Sequence, residues 1–211
     1  MGLLWEVCRI MKVKLLKYIE DNAGYEATRV CKKAEINVPR AFVRAVEAGH
    51  TSLLEHLVFQ FSINGISRAC SHQLVRHRVA SYAQESQRYV KIDEENWYII
   101  PDNVVDFKAY HSLMEVIKAS YNQMIANGTP LEDARYILPN SCKTNLVMTI
   151  NGRSLDNFLR LRTCSHAQWE IRELAQLMLK EVQLVSRYFE SQKYPKCNEC
   201  RTPCGKGETN E

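Results

Sequence analysis

The sequence predicts an α+β fold, in which long amphipathic helices pack with a small sheet. Three observations predict it. Residues 107–125 and 169–189 repeat apolar side chains at helical spacing over several turns. Residues 59–63 and 146–150 alternate apolar with neighbouring side chains at strand spacing. The two kinds of pattern are dispersed along the chain and never form a regular βαβ series.

In chain order, residues 12–19 read as a strand with Val13, Leu15 and Leu16 inward. Asp21, Asn22 and Gly24 make a turn, and residues 25–33 read as a short helix. Pro39 suits the first turn of the next helix, which turns Phe42, Val43 and Val46 inward and ends at Gly49. Ser52-Leu-Leu-Glu55 has the spacing of a capping box that opens a helical turn. Phe59, Phe61 and Ile63 alternate with Gln60, Ser62 and Asn64 in a strand. Residues 67–75 have room for two helical turns, after which the chain runs polar and basic to Tyr89.

The helix over 107–125 carries Phe107, Tyr110, Leu113, Met114, Ile117, Tyr121, Met124 and Ile125 on one face and closes at Asn127-Gly128. Leu146, Met148 and Ile150 mark another strand, and residues 154–161 another helix. Trp169, Ile171, Leu174, Leu177, Met178, Val182, Val185 and Phe189 line a second long helix. From Lys193 the chain turns polar, which predicts one domain over 1–192 and a mobile tail over 193–211.

Composition excludes several classes. The 211 residues are 45% hydrophobic, too apolar for a disordered chain. Lys plus Arg number 28 against 24 Asp plus Glu, a net charge of +4, which is modest for a protein that coats a nucleic-acid polymer. Clustered positive groups would still serve a small anionic ligand. No apolar run approaches the roughly 18 residues of a membrane helix. Glu6, Arg9, Lys12 and Lys14 interrupt the N-terminal apolar stretch, so no signal peptide is expected. Glu6 also stands where myristoylation wants Ser or Thr. The expected compartment is the cytoplasm, where Cys8, Cys31, Cys70, Cys142 and Cys164 would be free thiols in or near the core.

The chain has no G-x-G-x-x-G fingerprint, no G-x-x-x-x-G-K-[ST] phosphate loop, no nucleophile elbow and no H-E-x-x-H helix. A bound nucleotide or flavin would therefore be held by side chains. The outstanding segment is Arg76-His77-Arg78-Val-Ala-Ser81-Tyr82-Ala-Gln84-Glu85-Ser86-Gln87-Arg88-Tyr89. If Arg76 and Arg78 are extended they share a face, and two guanidinium forks match a phosphate or pyrophosphate. A solvated basic loop, or a set of surface ion pairs, is the alternative. A second polar cluster runs from Arg162 through Ser165, His166 and Gln168 to Glu170. Arg153 and Asn157 lie one turn apart ahead of it, with Asn151 near the helix start. The plain alternative here is helix capping by Asn151 and Ser165 with one buried histidine. His50, Glu55 and His56 suit a metal by type but lack a third neighbouring ligand in usable spacing, so no metal is expected.

Arg76-His77-Arg78 followed by seven residues and Ser86 resembles the signature of the flavin-dependent thymidylate synthases, the ThyX family. Gly49-His50-Thr-Ser52-Leu-Leu-Glu55-His56 resembles that family's segment before its central strand. Ala134-Arg135-Tyr-Ile-Leu-Pro139 resembles the segment after its long helix, and the blocks from Asn151 to Glu170 resemble its C-terminal core. The blocks keep the family's order from Gly49 to Tyr188.

The resemblance implies a ThyX-like subunit of a homotetramer, with FAD at subunit interfaces, that converts dUMP to dTMP. It implies 5,10-methylenetetrahydrofolate as carbon donor, reduced flavin as hydride donor and NADPH as reductant. By position it assigns His50, Ser52, Arg76, His77, Arg78, Gln84, Asn151, Arg153, Asn157 and His166 to FAD. It assigns Gln73, Arg76, Gln84, Glu85, Ser86, Gln87, Arg88, Arg135 and Arg162 to dUMP. Arg162 matches the arginine that stabilises the uracil ring ionised at N3, and Ser86 a positioning and polarising group near the reacting carbon. Gln84 stands where some relatives carry Glu, Ala83 where many carry Asn, and Ser52 where Thr is common.

Two other classes compete. A binding module would hold RNA or a nucleotide, without chemistry, on the Arg76 to Arg88 stripe with Tyr82 and Tyr89 as aromatic partners. A cysteine-dependent synthase would need Cys142 or Cys164 as its nucleophile. The tail's Cys197, Cys200 and Cys204 offer three thiols without a fourth zinc ligand, and an idle tail, a redox role and an interchain role stay open.

Overall fold

In the computed structural model, residues 11–33, 37–92 and 96–196 are described. The expectations for Cys8 and for Cys197, Cys200 and Cys204 fall outside these residues. Strand β1 (Lys12–Ile19) is followed by helices α1 (Asn22–Lys32) and α2 (Val38–Glu47), a 3₁₀ turn (Thr51–His56) and strand β2 (Val58–Ser67). Helix α3 (Arg68–Leu74), strand β3 (Ala80–Gln84), the long helix α4 (Phe107–Ala126) and the short helix α5 (Leu131–Ala134) come next. A 3₁₀ turn (Arg135–Ile137), strand β4 (Lys143–Asn151) and helices α6 (Gly152–Arg162), α7 (Trp169–Gln183) and α8 (Arg187–Ser191) complete the chain.

The four strands form one sheet in the order β1-β2-β4-β3. Alternation decides which strands are central. Phe59, Phe61 and Ile63 of β2 and Thr144, Leu146, Met148 and Ile150 of β4 are buried, with half-buried residues between them. On the edge strand β1, Val13 and Leu15 are half-buried. Leu16, expected inward, is 46% exposed, because it points to the face opposite Leu15.

The chain divides into two compact units, with β2, β3 and β4 contributing residues to both. One holds Asn64–His72 and Gln84–Leu146 together with Met11. Its core is Trp97, Tyr98, Ile100, Met114 and Cys142, flanked by Phe107, Tyr110, Ile117 and Leu138. Helix α4 contributes Met114 and Tyr121 to buried positions and leaves Leu113 exposed, a narrower apolar face than its periodicity predicts. The other unit holds Lys12–Ile63, Gln73–Ala83 and the chain from Val147. There β1 packs on α7, and the Leu15 N–H donates to the Glu181 carboxylate at 2.8 Å. Phe42, Leu54, Leu57, Phe59, Phe158 and Phe189 are fully buried.

Three expected elements differ. Ser52 caps nothing: the segment is a 3₁₀ turn with His50 at its N-cap position and no side-chain cap bond. The helix over 169–189 breaks into α7 and α8 because Ser186 accepts from the Phe189 N–H and donates to Asp21 at 2.7 Å. Helix α1 starts at Asn22, three residues before the expected start at Tyr25. Among the thiols, Cys70 and Cys142 are buried as expected, whereas Cys31 is exposed. Tyr194 and Lys196, read as the start of the tail, both bond the buried Asp156.

Candidate functional site

In the second unit, a glycine turn sets up the first candidates. Helix α2 ends, Gly49 takes φ 98°, and the His50 N–H returns to the Ala45 carbonyl at 2.9 Å. His50 and Ser52 are both exposed beyond this turn. The turn is fixed to the start of α6, where the Gly152 N–H donates to the Leu57 carbonyl at 2.8 Å. A Cβ at Gly152 would lie 2.7 Å from the Leu54 carbonyl oxygen, so only glycine fits. The Asn151 side chain caps α6 by accepting from the Ser154 N–H at 2.9 Å. Arg153 and Asn157 are exposed on that helix, and Arg153 pairs with Glu55 of the 3₁₀ turn.

Beyond α3 the chain turns tightly. The Arg76 N–H donates to the Gln73 carbonyl at 3.4 Å and the His77 N–H to the Leu74 carbonyl at 3.0 Å. Residues 75–79 are therefore a turn and not the extended run that would place Arg76 and Arg78 on one strand face; β3 begins only at Ala80. Even so, Arg76 and Arg78 are exposed on either side of a buried His77. The Ser154 hydroxyl accepts from the Val79 N–H at 3.0 Å, which ties this turn to α6. No carboxylate lies within ion-pair distance of Arg76, Arg78 or Arg162 among the described residues.

Arg162 ends α6 half-buried, and its Nε–H donates to His77 Nε2 at 2.9 Å. His77 is 8% exposed and meets the Phe158 ring edge-on at 4.9 Å. Burial and the neighbouring Arg162 charge push its pKa down to about 4, so the ring is neutral at physiological pH. A guanidinium is always the donor, so Nε2 carries the lone pair and Nδ1 the proton. The Cys164 thiol lies 3.5 Å from His166 Nδ1. His166 is exposed, and α7 takes its cap from Gln168, whose side chain accepts from the Glu170 and Ile171 N–H groups. Of the plain alternative, the Asn151 cap is present, whereas His166 is exposed and the N-cap of α7 is Gln168.

The first unit carries the other candidates. Gln84 donates to the hydroxyls of Ser71 at 3.0 Å and Thr144 at 3.1 Å. The Glu85 carboxylate accepts from Asn145 at 2.7 Å, and the Glu85 carbonyl accepts from Arg68 at 2.8 Å. The Ser86 hydroxyl accepts from the Arg88 N–H at 3.3 Å, and Gln87 donates to the Cys142 sulfur at 3.5 Å. Arg88 pairs with Glu132, and Arg135 donates to the Glu132 carbonyl at 2.9 Å. Ser71, Thr144, Asn145, Arg68 and Glu132 escaped the sequence reading. All five have a partner distant along the chain, which no local pattern marks, and Glu132 also accepts from Arg135 three residues on.

Each competing reading loses one of its two residues. Tyr82 is half-buried and donates its hydroxyl to the carbonyls of Leu74 and His77, so it offers no stacking face in the way Tyr89 does. Cys142 is 1% exposed, and burial pushes its thiol up to about 11, the opposite of an activated nucleophile.

Fold and site together define a class: an α+β protein that has no glycine-rich phosphate loop and that presents Arg76, Arg78 and Arg162 without a carboxylate partner among the described residues. Within that class the chain belongs to the Thy1 family, whose model, described as "Thymidylate synthase complementing protein", matches residues 14–186. A flavin-dependent thymidylate synthase of Geobacter sulfurreducens is 39% identical, over 93% of this chain and 92% of that protein. One from Clostridium tetani is 36% identical, over 93% of this chain and 94% of its own. One from Pyrococcus furiosus is 46% identical over 71% of this chain but only 64% of that protein. Among solved structures, Thymidylate Synthase X from Helicobacter pylori with FAD and dUMP matches with a TM-score of 0.71 at 26% identity, covering 82% of this chain and 93% of that one. The family and the α+β class expected from the sequence are both borne out.

Proposed function

We propose that this chain is a flavin-dependent thymidylate synthase that methylates dUMP to dTMP, with 5,10-methylenetetrahydrofolate as carbon donor and NADPH as reductant. The observation that carries the reading is Arg162: a half-buried guanidinium, held by a neutral histidine and compensated by no carboxylate among the described residues. Such a group stabilises negative charge that develops on a bound pyrimidine ring, and it stays charged at every relevant pH.

The donor set fits a flavin dinucleotide. Arg76 and Arg78 are exposed guanidiniums two residues apart, suited to a pyrophosphate, with His50, Ser52 and Asn157 exposed on the same unit. Arg153 joins them by giving up an exposed ion pair with Glu55, a bond worth about 0–1 kcal/mol. Asn151, His166 and Gln84 complete the set. FAD, when bound, supplies hydride chemistry that no side chain provides.

For dUMP, Arg88 and Arg135 bind the phosphate, Arg88 exchanging its exposed pair with Glu132 for the stronger anion. Gln73, Gln84, Glu85 and Gln87 read the nucleoside, and Ser86 positions the reacting ring. Arg76 serves both ligands. The working assembly is a homotetramer in the cytoplasm, which suits the free thiols of Cys31, Cys70, Cys142 and Cys164. No helix of the described residues is long and apolar enough to cross a membrane.

Arg162→Ala tests the reading. It is expected to keep the fold and FAD while dTMP formation falls by about 10²–10³-fold, the cost of losing one such donor. The measurement is dTMP formed from dUMP, the folate and NADPH. Near wild-type turnover would overturn the assignment.

A further inference from the structure

Arginine has five N–H donors, and how they are shared decides what the group can do next. Arg162 gives its Nε–H to His77 Nε2 at 2.9 Å. The two Nη groups, the end-on edge of the fork, remain. Helix α6 supplies both contacts to the imidazole: Phe158 and Arg162 are four residues apart, one packing on the ring at 4.9 Å and the other bonding it. The ring is buried, and its main-chain carbonyl accepts from Tyr82 at 2.8 Å, so His77 cannot follow a moving ligand.

A carboxylate in the place of His77 would orient Arg162 equally well, but it would cancel the positive charge. A neutral imidazole fixes the guanidinium and leaves its charge whole. We propose that His77 is a positioning residue for Arg162, presenting the end-on Nη pair and the full charge to the pyrimidine of dUMP. This role differs from the direct flavin contact that the family resemblance assigns to His77, and it rests on the proposed function for the identity of the ligand.

The test is a double-mutant cycle on the FAD-loaded protein, with dUMP affinity and FAD per chain measured for wild type, His77→Leu, Arg162→Ala and the double variant. His77→Leu is expected to keep FAD and weaken dUMP by about tenfold, with no further loss in the Arg162→Ala background, because coupled residues are not additive. His77→Gln, whose amide oxygen accepts from the same N–H, is expected to restore affinity to within about threefold of wild type. Losses that multiply in the double variant overturn the proposal, as does a His77→Leu variant that sheds FAD at unchanged dUMP affinity.

The pair is also read without replacing His77. In protein labelled with ¹⁵N-histidine, His77 is expected as a neutral ring with unprotonated Nε2 whose signal moves in Arg162→Ala. A protonated Nε2 overturns the proposal. This readout holds even if His77→Leu does not fold. If wild-type protein fails to bind dUMP, the proposed function fails, and the nitrogen spectrum still decides the pair.

Discussion

At the scale of single residues, the pairing of His77 with Arg162 makes stability depend on pH in a definite direction. Burial first, and the Arg162 charge second, lower the folded-state pKa of His77 from 6.5 to about 4. In the unfolded chain the same ring takes up a proton near its ordinary pKa. Between pH 6.5 and 4 the unfolded state therefore binds more protons, and stability present above that window is lost as pH falls through it. The melting temperature of the wild type is expected to fall more steeply from pH 7 to 4 than that of His77→Gln, which has no proton to gain. Parallel profiles would show that another group carries the acid sensitivity. The same residue shows where sequence reading stops. The arginines of the motif were legible as a basic cluster suited to an anion from their type and crowding. The burial of the histidine between them was not, because Phe158 and Arg162 lie more than eighty residues along the chain.

At the scale of elements, α6 carries the most candidate residues and has the tightest local requirements. Its outer face bears Arg153 and Asn157, its inner face buries Leu155, Phe158 and Leu159, and its last turn holds Arg162. Asn151→Ala removes the cap and is expected to cost about 1 kcal/mol in urea unfolding. Gly152→Ala is expected to cost more, about 1–3 kcal/mol, because its Cβ presses on the Leu54 carbonyl oxygen and must push the 3₁₀ turn away. Equal costs would mean that the turn yields freely. The helix itself was legible in the sequence, and so was its Asn151 cap. The glycine requirement was not, since it comes from a carbonyl about a hundred residues earlier. The break between α7 and α8 was hidden for the same reason: apolar spacing runs straight through it, and the Ser186 bond to Asp21 that ends it spans 165 residues.

At the scale of the whole molecule, each unit carries its own group of candidate residues. Gln84, Glu85, Ser86, Gln87, Arg88 and Arg135 belong to one, while His50, Ser52, Arg76, Arg78, Asn157 and Arg162 belong to the other. The second unit must hold together segments from both ends of the sequence, and buried carboxylates do this. Asp21 accepts from Ser186 at 2.7 Å and from the Tyr188 N–H at 3.3 Å. Asp156, on α6 next to Asn157, accepts from the hydroxyls of Tyr188 and Tyr194 and from Lys196 at 3.3 Å, with Arg160 3.7 Å away. Burial, then the Asp156 charge, raises the pKa of both phenols. The folded state thus holds those protons more tightly than the unfolded chain, so this contribution is complete below pH 10 and is lost as pH rises above it. Asp156→Ala leaves the buried Tyr188 hydroxyl, the half-buried Tyr194 hydroxyl and the half-buried Lys196 ammonium without this acceptor, and is expected to destabilise by about 3 kcal/mol. Asp156→Asn keeps an acceptor oxygen for the tyrosines but loses the charge pairing. It is expected to cost less, and to let Tyr188 and Tyr194 ionise at lower pH in an ultraviolet titration. If the alanine variant melts like wild type, the C-terminal segment is held by the burial of Tyr188 and Phe189 alone, and Asp156 is incidental to it.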